Sequence, residues 1–342
     1  MRYDLPAAQD RAIWDIWLSM HNLPAMSVAD ELGVFQALEN APATSDEIAA
    51  RLGLNARAMG VLCSMLSALQ LLVVRDERVE LADVARTYLL PRSPFYWGPL
   101  LRVLGVLREQ HLTLIRALRA KGNGASMVGL DLPSDSWESG KMSRAKAEAT
   151  SRVMHCHSLS AAAGAARSGE FGDVTRLLDV GGGSGCFSIA IAQHLPGIRC
   201  SVMELPVVCE VAQTYIEAGG VSDRVDTVAV NMFQEPWPRG YDGVLFSNVF
   251  HDWTAEDNLF LARRAYEALP SGGQVFVHEM LLAEDGSGPV TTASFSMLMM
   301  FGTQGRQYSR RELSQILSEA GFVDLAVRDT HGYFSVLSGR KP

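Results

Sequence analysis

Apolar positions recur along this chain in two periods. In the first hundred or so residues they follow the helical period: Ile13, Trp14, Ile16 and Trp17 form one set, and Leu23, Met26, Val28, Leu32 and Val34 another. Thr44-Ser45-Asp46-Glu47 carries the spacing of a capping box and predicts a helix through Leu52. Asn55 to Leu69 gives a second, more apolar helix, followed by a short β wing at Leu71 to Leu81. A further helix is expected from Leu100 to Leu118 and a long one from about Lys141 to Ser168, with turn-rich breaks at 122–126 and 133–136.

From 174 onward the pattern changes. Short apolar runs end at Val180, Glu204, Val230, Phe246 and Met280, alternating with helical stretches near 186–195, 206–219, 254–269 and 309–320. Such alternation demands a mostly parallel sheet covered on both faces, because each crossover helix buries its apolar stripe against strands. Two last β-like runs, Val323 to Asp329 and Tyr333 to Leu337, are joined by His331-Gly332 and read as an antiparallel hairpin. The chain therefore divides into a helical and winged segment (1–100), a helical linker (101–172) and an α/β domain (173–342).

Composition narrows the function. With 342 residues, 48% of them hydrophobic, the chain can bury more than one core. Its start lacks the apolar segment of a signal peptide, and no run reaches the roughly 18 apolar residues of a membrane span, so a cytoplasmic protein with no membrane partner is expected. Five scattered cysteines read as buried thiols rather than disulfides or a metal site. The two helices at 45–69 and the wing have the order of a winged helix-turn-helix. However, the net charge is −8, no Lys or Arg stripe is present, and the second helix is too apolar to read a groove. Nucleic acid is not expected as a partner; packing against a second copy of the chain is.

The chemistry concentrates at strand ends. Leu177-Leu178-Asp179-Val180-Gly181-Gly182-Gly183-Ser184-Gly185 is a buried strand running into a turn where backbone can approach a ligand closely. A dinucleotide fingerprint would need glycine at 186, where the chain has Cys186. Glu204 ends the next strand about 20 residues on, placed to accept from ribose hydroxyls. Asn231-Met232-Phe233 and Ser247 to Asp252 follow the third and fourth strands, on the same edge of the sheet.

These residues carry a resemblance. LLDVGGGSG, then Glu204-Leu205-Pro206, then Ser247-Asn248-Val249-Phe250-His251-Asp252-Trp253 is similar to the small-molecule O-methyltransferases of plants and bacteria that use S-adenosylmethionine, a group including caffeate, hydroxyindole and antibiotic-tailoring enzymes. The resemblance implies a class I methyltransferase fold, an N-terminal winged-helix dimerisation domain and a homodimer. It implies a cofactor site of Asp179, Gly181, Gly183, Gly185, Glu204, Leu205, Asn231, Met232, Phe233, Ser247, Asp252 and Trp253, with Met232 and Phe233 flanking the adenine. His251 takes the role of the base that removes a phenolic proton, and Glu279 that of the acid orienting it.

The chain departs from the pattern twice. Asn231 stands where the family has Asp, its amide oxygen still able to accept from the adenine amino group. Gln307, in Gly305-Arg306-Gln307-Tyr308, stands where a second orienting Glu is usual; an amide can position a histidine but stabilises its charged form less. Met154, Met297, Met300 and Phe301 suggest a soft apolar pocket for a small aromatic substrate. O-methylation is the leading reading, methylation of the ring carbon ortho to a phenol the alternative, and a non-catalytic ligand-sensing regulator the outlying one. No metal is expected, and His155 and His157 read as structural or pocket-lining.

Overall fold

The computed structural model describes residues 2–105, 109–120, 137 and 139–342. The expected turns at 122–126 and 133–136 lie outside the described residues. Two compact units emerge, and they cut the chain differently from the three consecutive segments expected. One comprises Met1–Arg11, Pro133–Leu281 and Arg310–Pro342; the other comprises Ala12–Leu132 and Leu282–Ser309. The long helix belongs to the α/β unit rather than to a linker, and the methionine-rich stretch near 297 belongs to the helical one. Among the described residues no helix is long and apolar enough to cross a membrane.

The helical unit carries α1 (Arg11–Leu18), α2 (Asn22–Glu31), α3 (Val34–Ala37), α4 (Ser45–Leu52), α5 (Ala56–Ala68), strands β1 (Leu72–Arg75) and β2 (Arg78–Leu81), α6 (Asp83–Tyr88), α7 (Gly98–Gly105) and α8 (Glu109–Arg119). The capping box forms as read: the Thr44 hydroxyl accepts from the Glu47 N–H, and the Glu47 carboxylate accepts from the Thr44 N–H. Asp76 and Glu77, both at positive φ, close the β1–β2 hairpin, the geometry a two-residue turn needs to match strand twist. Helix α5 buries Met59, Val61, Leu62, Met65 and Leu66 in one core with Met297 and Met300. That burial removes it from any role in reading a nucleic-acid groove. Ile13 and Ile16, in contrast, are 70% and 72% exposed although their spacing suggests burial.

The α/β unit begins with α9 (Arg144–Ala166) and continues β3 (Arg176–Val180), α10 (Cys186–His194), β4 (Arg199–Glu204), α11 (Pro206–Gly219), β5 (Val225–Ala229), β6 (Gly243–Ser247), α12 (Ala255–Ala268) and β7 (Gln274–Met280). After α13 (Val290–Gly302), which packs in the other unit, come α14 (Arg310–Glu319), β8 (Val323–Asp329) and β9 (Phe334–Arg340). The sheet order is β5-β4-β3-β6-β7-β9-β8, with β3 to β7 parallel and β9 antiparallel to both β7 and β8. This is the class I methyltransferase sheet. Strand order reverses at β3, which has β4 on one side and β6 on the other, so the crevice for a ligand opens at the carboxyl ends of β3, β4 and β6. Every residue of β6 is buried, as a strand covered on both faces requires.

Candidate active site

Strand β3 ends in Asp179-Val180 and enters the glycine turn. Gly183 has φ +55, and a Cβ built there would meet no protein atom within 4 Å; it would project into the space a ligand needs. Asp179 lies beneath the turn, 1% exposed, with Oδ2 accepting from the Ser188 hydroxyl at 2.7 Å. A Cβ on Gly182 would come within 2.7 Å of that carboxylate, so Asp179 shapes the turn from below. Burial raises its pKa to about 6.

Glu204 ends β4. It is 4% exposed and takes hydrogen bonds from Gly183 N at 3.2 Å, Leu205 N at 2.9 Å and the Trp137 indole at 3.1 Å. Burial pushes its pKa to about 7 against those donors, so further hydroxyl donors would favour the ionised form. Trp137 is a residue that sequence reasoning missed. It packs with Met142 against Leu205 and Val208, and only the three-dimensional approach of its segment to β4 reveals it.

Past β5, Asn231 turns its amide oxygen toward the backbone that follows it. Its amide oxygen accepts from the Phe233 N–H at 3.0 Å and the Gln234 N–H at 3.3 Å, which occupies both lone pairs. The group left over is the donor: Nδ2 is buried and without a hydrogen-bond partner among the described residues. Asn231 therefore offers an N–H where an acceptor was expected. Met232 holds the Trp237 indole through its carbonyl at 2.9 Å, and Phe233 packs edge-on against Trp253 with ring centroids 4.6 Å apart. The Ser247 hydroxyl, ending β6, lies 3.2 Å from Nδ1 of the fully buried His278.

His251 sits in a short 3-10 turn, Phe250–Asp252, and is 5% exposed. The turn is pinned by Asn258, a completely buried residue of α12, whose amide donates to Phe250 O at 2.8 Å and Trp253 O at 3.4 Å. From β7, Glu279 grips His251 twice, with Oε2 at 2.6 Å from Nδ1 and Oε1 accepting the backbone N–H at 3.3 Å. Burial by itself would lower the imidazole pKa, but the charges of Glu279 and then Asp252 outweigh it and raise it to about 9. Asp252 Oδ1 lies 3.7 Å from Nε2, beyond hydrogen-bond reach, and its partly buried carboxyl is pushed up to about 6.

A second histidine is electrostatically coupled to the site. His157, on α9 three residues past Met154, has its pKa lowered to about 4 by burial and then by the charge of His251. Sequence reasoning placed it only as structural or pocket-lining.

Residues 114–323 match the O-methyltransferase domain, and residues 14–91 the O-methyltransferase dimerisation domain. The chain belongs to the O-methyltransferase family. It is 34% identical to 3-hydroxy-5-methyl-1-naphthoate 3-O-methyltransferase of Streptomyces sahachiroi, over 90% of this chain and 88% of that one. It is 32% identical to L-tyrosine C(3)-methyltransferase of Streptomyces lavendulae, over 87% and 82%. Among solved structures, an O-methyltransferase family 2 protein of Planctomyces limnophilus in complex with apigenin superposes with a TM-score of 0.87, at 27% identity and covering 100% of this chain and 99% of that one.

The protein is thus an S-adenosylmethionine-dependent methyltransferase. Its residues fit that cofactor: the glycine turn leaves room beside Gly183, Glu204 is poised as an acceptor, and Asn231 Nδ2 is an orphaned buried donor. The remaining expected positions divide between the units. Met154 is 44% exposed on α9. Met297 and Met300, fully buried, and Phe301 belong to the core cluster of the helical unit. Gln307, also in that unit, is fully buried; its N–H donates to Ser296 Oγ at 3.0 Å, while neither amide atom of its side chain has a partner among the described residues. Arg144 of α9 is exposed and paired with Glu148 and Glu210.

Proposed function

We propose that this methyltransferase methylates the oxygen of a small hydroxylated aromatic in secondary metabolism, with His251 as general base. The contact of Glu279 with Nδ1 carries the reading. It fixes the tautomer so that Nε2 accepts the proton, and it holds the imidazole near 9, within reach of a phenol that titrates near 10. Bound S-adenosylmethionine supplies an electrophilic methyl group on a positively charged sulfur. Glu204 would hold the ribose, the turn Gly181 to Gly185 would give backbone contacts beside Leu205, and Asn231, Met232, Phe233 and Trp253 would enclose the adenine. Ser247 and Asp252 complete the polar edge of that site. We assign Met154, exposed on α9, to the substrate.

The naphthoate relative, by its name an O-methyltransferase of a hydroxylated aromatic acid, supports this substrate class. A second reading is methylation of the carbon ortho to the phenol, which needs the same deprotonated ring; the tyrosine C(3)-methyltransferase favours keeping it. The functional assembly is a homodimer, supported by the dimerisation-domain match and by the solvent-facing Ile13 and Ile16. The test is a panel of hydroxynaphthoates, hydroxyflavones and tyrosine with methyl-labelled cofactor, the position of the new carbon being read by NMR. A methoxy signal is expected; a ring-methyl signal would establish the second reading. Methylation of none of them by protein that binds the cofactor would remove hydroxylated aromatics as the substrate class.

A further inference from the structure

The glycine turn must be held in a conformation that glycine adopts at high entropic cost, yet four of its five residues, Gly181 to Gly185, have no side chain by which to hold it. Ser184 is the exception. Its hydroxyl, 3% exposed, lies 2.8 Å from Nδ1 of His155 on α9. The other ring nitrogen of His155 lies 3.1 Å from the phenolic oxygen of Tyr3, in the segment before α1. Burial lowers the His155 pKa, so the ring is neutral, with one nitrogen donating and the other accepting. A phenol donating to Nε2 leaves Nδ1–H to donate to Ser184, and a single continuous chain of hydrogen bonds results.

Tyr3 is itself anchored. Its N–H donates to Gln193 Oε1 at 2.8 Å, its carbonyl accepts from Arg167 at 3.2 Å, and its ring meets His155 edge-on at 5.7 Å. The Tyr215 ring also packs on the imidazole, with centroids 4.3 Å apart. The N-terminal segment, α9 and α10 are thereby tied to the one side chain of the turn, all within the α/β unit.

We propose that Tyr3 and His155 are positioning residues for cofactor binding, which clamp the glycine turn through Ser184 and make the residues ahead of α1 part of the cofactor site. The proposal rests on the turn being the cofactor cradle. Loss of the clamp leaves the turn free to sample other conformations, and the ordering cost then falls on binding. Affinity drops while the chemistry of the bound complex is preserved.

The experiment uses the full chain: wild type, Tyr3→Phe, His155→Ala, His155→Gln, the Tyr3→Phe/His155→Ala double variant and Gly183→Leu. S-adenosylhomocysteine affinity is measured by calorimetry, with KM for S-adenosylmethionine, kcat and thermal unfolding alongside. Tyr3→Phe and His155→Ala should each weaken S-adenosylhomocysteine roughly tenfold, the loss of about one net hydrogen bond. KM should rise in step and kcat at saturating cofactor should stay within about twofold. The double variant should be no weaker than the weaker single, as members of one chain must be, and His155→Gln, which keeps a donor and an acceptor, should recover most of the affinity. Unchanged affinity in Tyr3→Phe, additive losses in the double variant, or a fall in kcat matching the fall in affinity would overturn the clamp. Tyr3→Phe removes one oxygen and decides the matter even where His155→Ala fails to fold. Gly183→Leu separates the two ideas: if it abolishes binding while Tyr3→Phe leaves affinity unchanged, only the clamp is lost, and if it binds normally the cradle itself is misplaced.

Discussion

At the scale of single residues, the site is a set of buried groups whose neighbours decide what each can donate or accept. His251 is the clearest. Because Glu279 raises its pKa to about 9, the free protein carries it protonated at neutrality, and kcat/KM should rise with pH and level off above about 9. Glu279→Gln removes the stabilising charge, so the midpoint should move down, toward or below the ordinary imidazole value. His251→Ala should abolish the rise and lower turnover about 100-fold or more, leaving S-adenosylhomocysteine affinity intact; a pH-independent wild-type rate would deny the base role. The same linkage acts on stability. A histidine whose folded pKa lies above its unfolded one stabilises the fold fully below about 6.5, and that contribution is lost as pH rises through about 9. Asn231 makes a different prediction. With its oxygen committed to Phe233 and Gln234, its remaining N–H suits an accepting ring nitrogen of the adenine rather than the amino group. S-Inosylhomocysteine, whose N1 carries a proton, should bind about tenfold more weakly than S-adenosylhomocysteine, and equal binding of the two would refute the assignment.

At the scale of elements, two devices hold the chemistry or the core in place. The Asn258 side chain lets α12 fix the carbonyls on either side of His251, so the helix after the motif sets the position of the base. In the helical unit, Arg57 of α5 reaches the end of α13 and donates to Met300 O at 3.1 Å, Thr303 O at 3.2 Å and Gly305 O at 2.9 Å. A cation there satisfies carbonyls that a helix end leaves without partners and opposes its dipole. Burial costs the guanidinium, lowering its pKa to about 10. Arg57→Ala should therefore destabilise the protein by about 1.5–3 kcal/mol in denaturant unfolding, a larger loss than a surface arginine gives. A change below about 0.5 kcal/mol would show that the three bonds do not form in solution. The position falls in the helix that stands second in the winged-helix order, and its arginine is committed to the protein's own backbone.

For the whole molecule, the exposed apolar residues of α1 bear on the proposed homodimer. Ile13 and Ile16 of α1 face solvent beside Trp17, 37% exposed, and Met20, 39% exposed, within or beside the region that matches the dimerisation domain. Burying such side chains is worth roughly 1.5–3 kcal/mol each. Ile13→Asp/Ile16→Asp should shift sedimentation from a dimer toward a monomer without unfolding the chain. A double variant that sediments as the wild type would place the interface elsewhere.

Much of this protein is local and therefore legible in its sequence. The strand ends at Val180, Glu204 and Met280, the capping box at Thr44, the glycine turn and the Glu204 acceptor depend on residues near one another in the chain, where spacing and propensity act directly. The pairing of His251 with Glu279 is what the family resemblance implies, and the contact at 2.6 Å joins the residues after β6 to the end of β7. What the sequence could not decide are matters of partner and direction. The fate of each lone pair on Asn231, the arrival of Trp137 over Glu204, the coupling of His157 to His251 and the link from Tyr3 to the glycine turn all join residues far apart in sequence. So does the transfer of Met297 and Met300 into the helical core. No periodicity records such contacts; they exist only once the folded backbone has brought the groups within a hydrogen bond of each other.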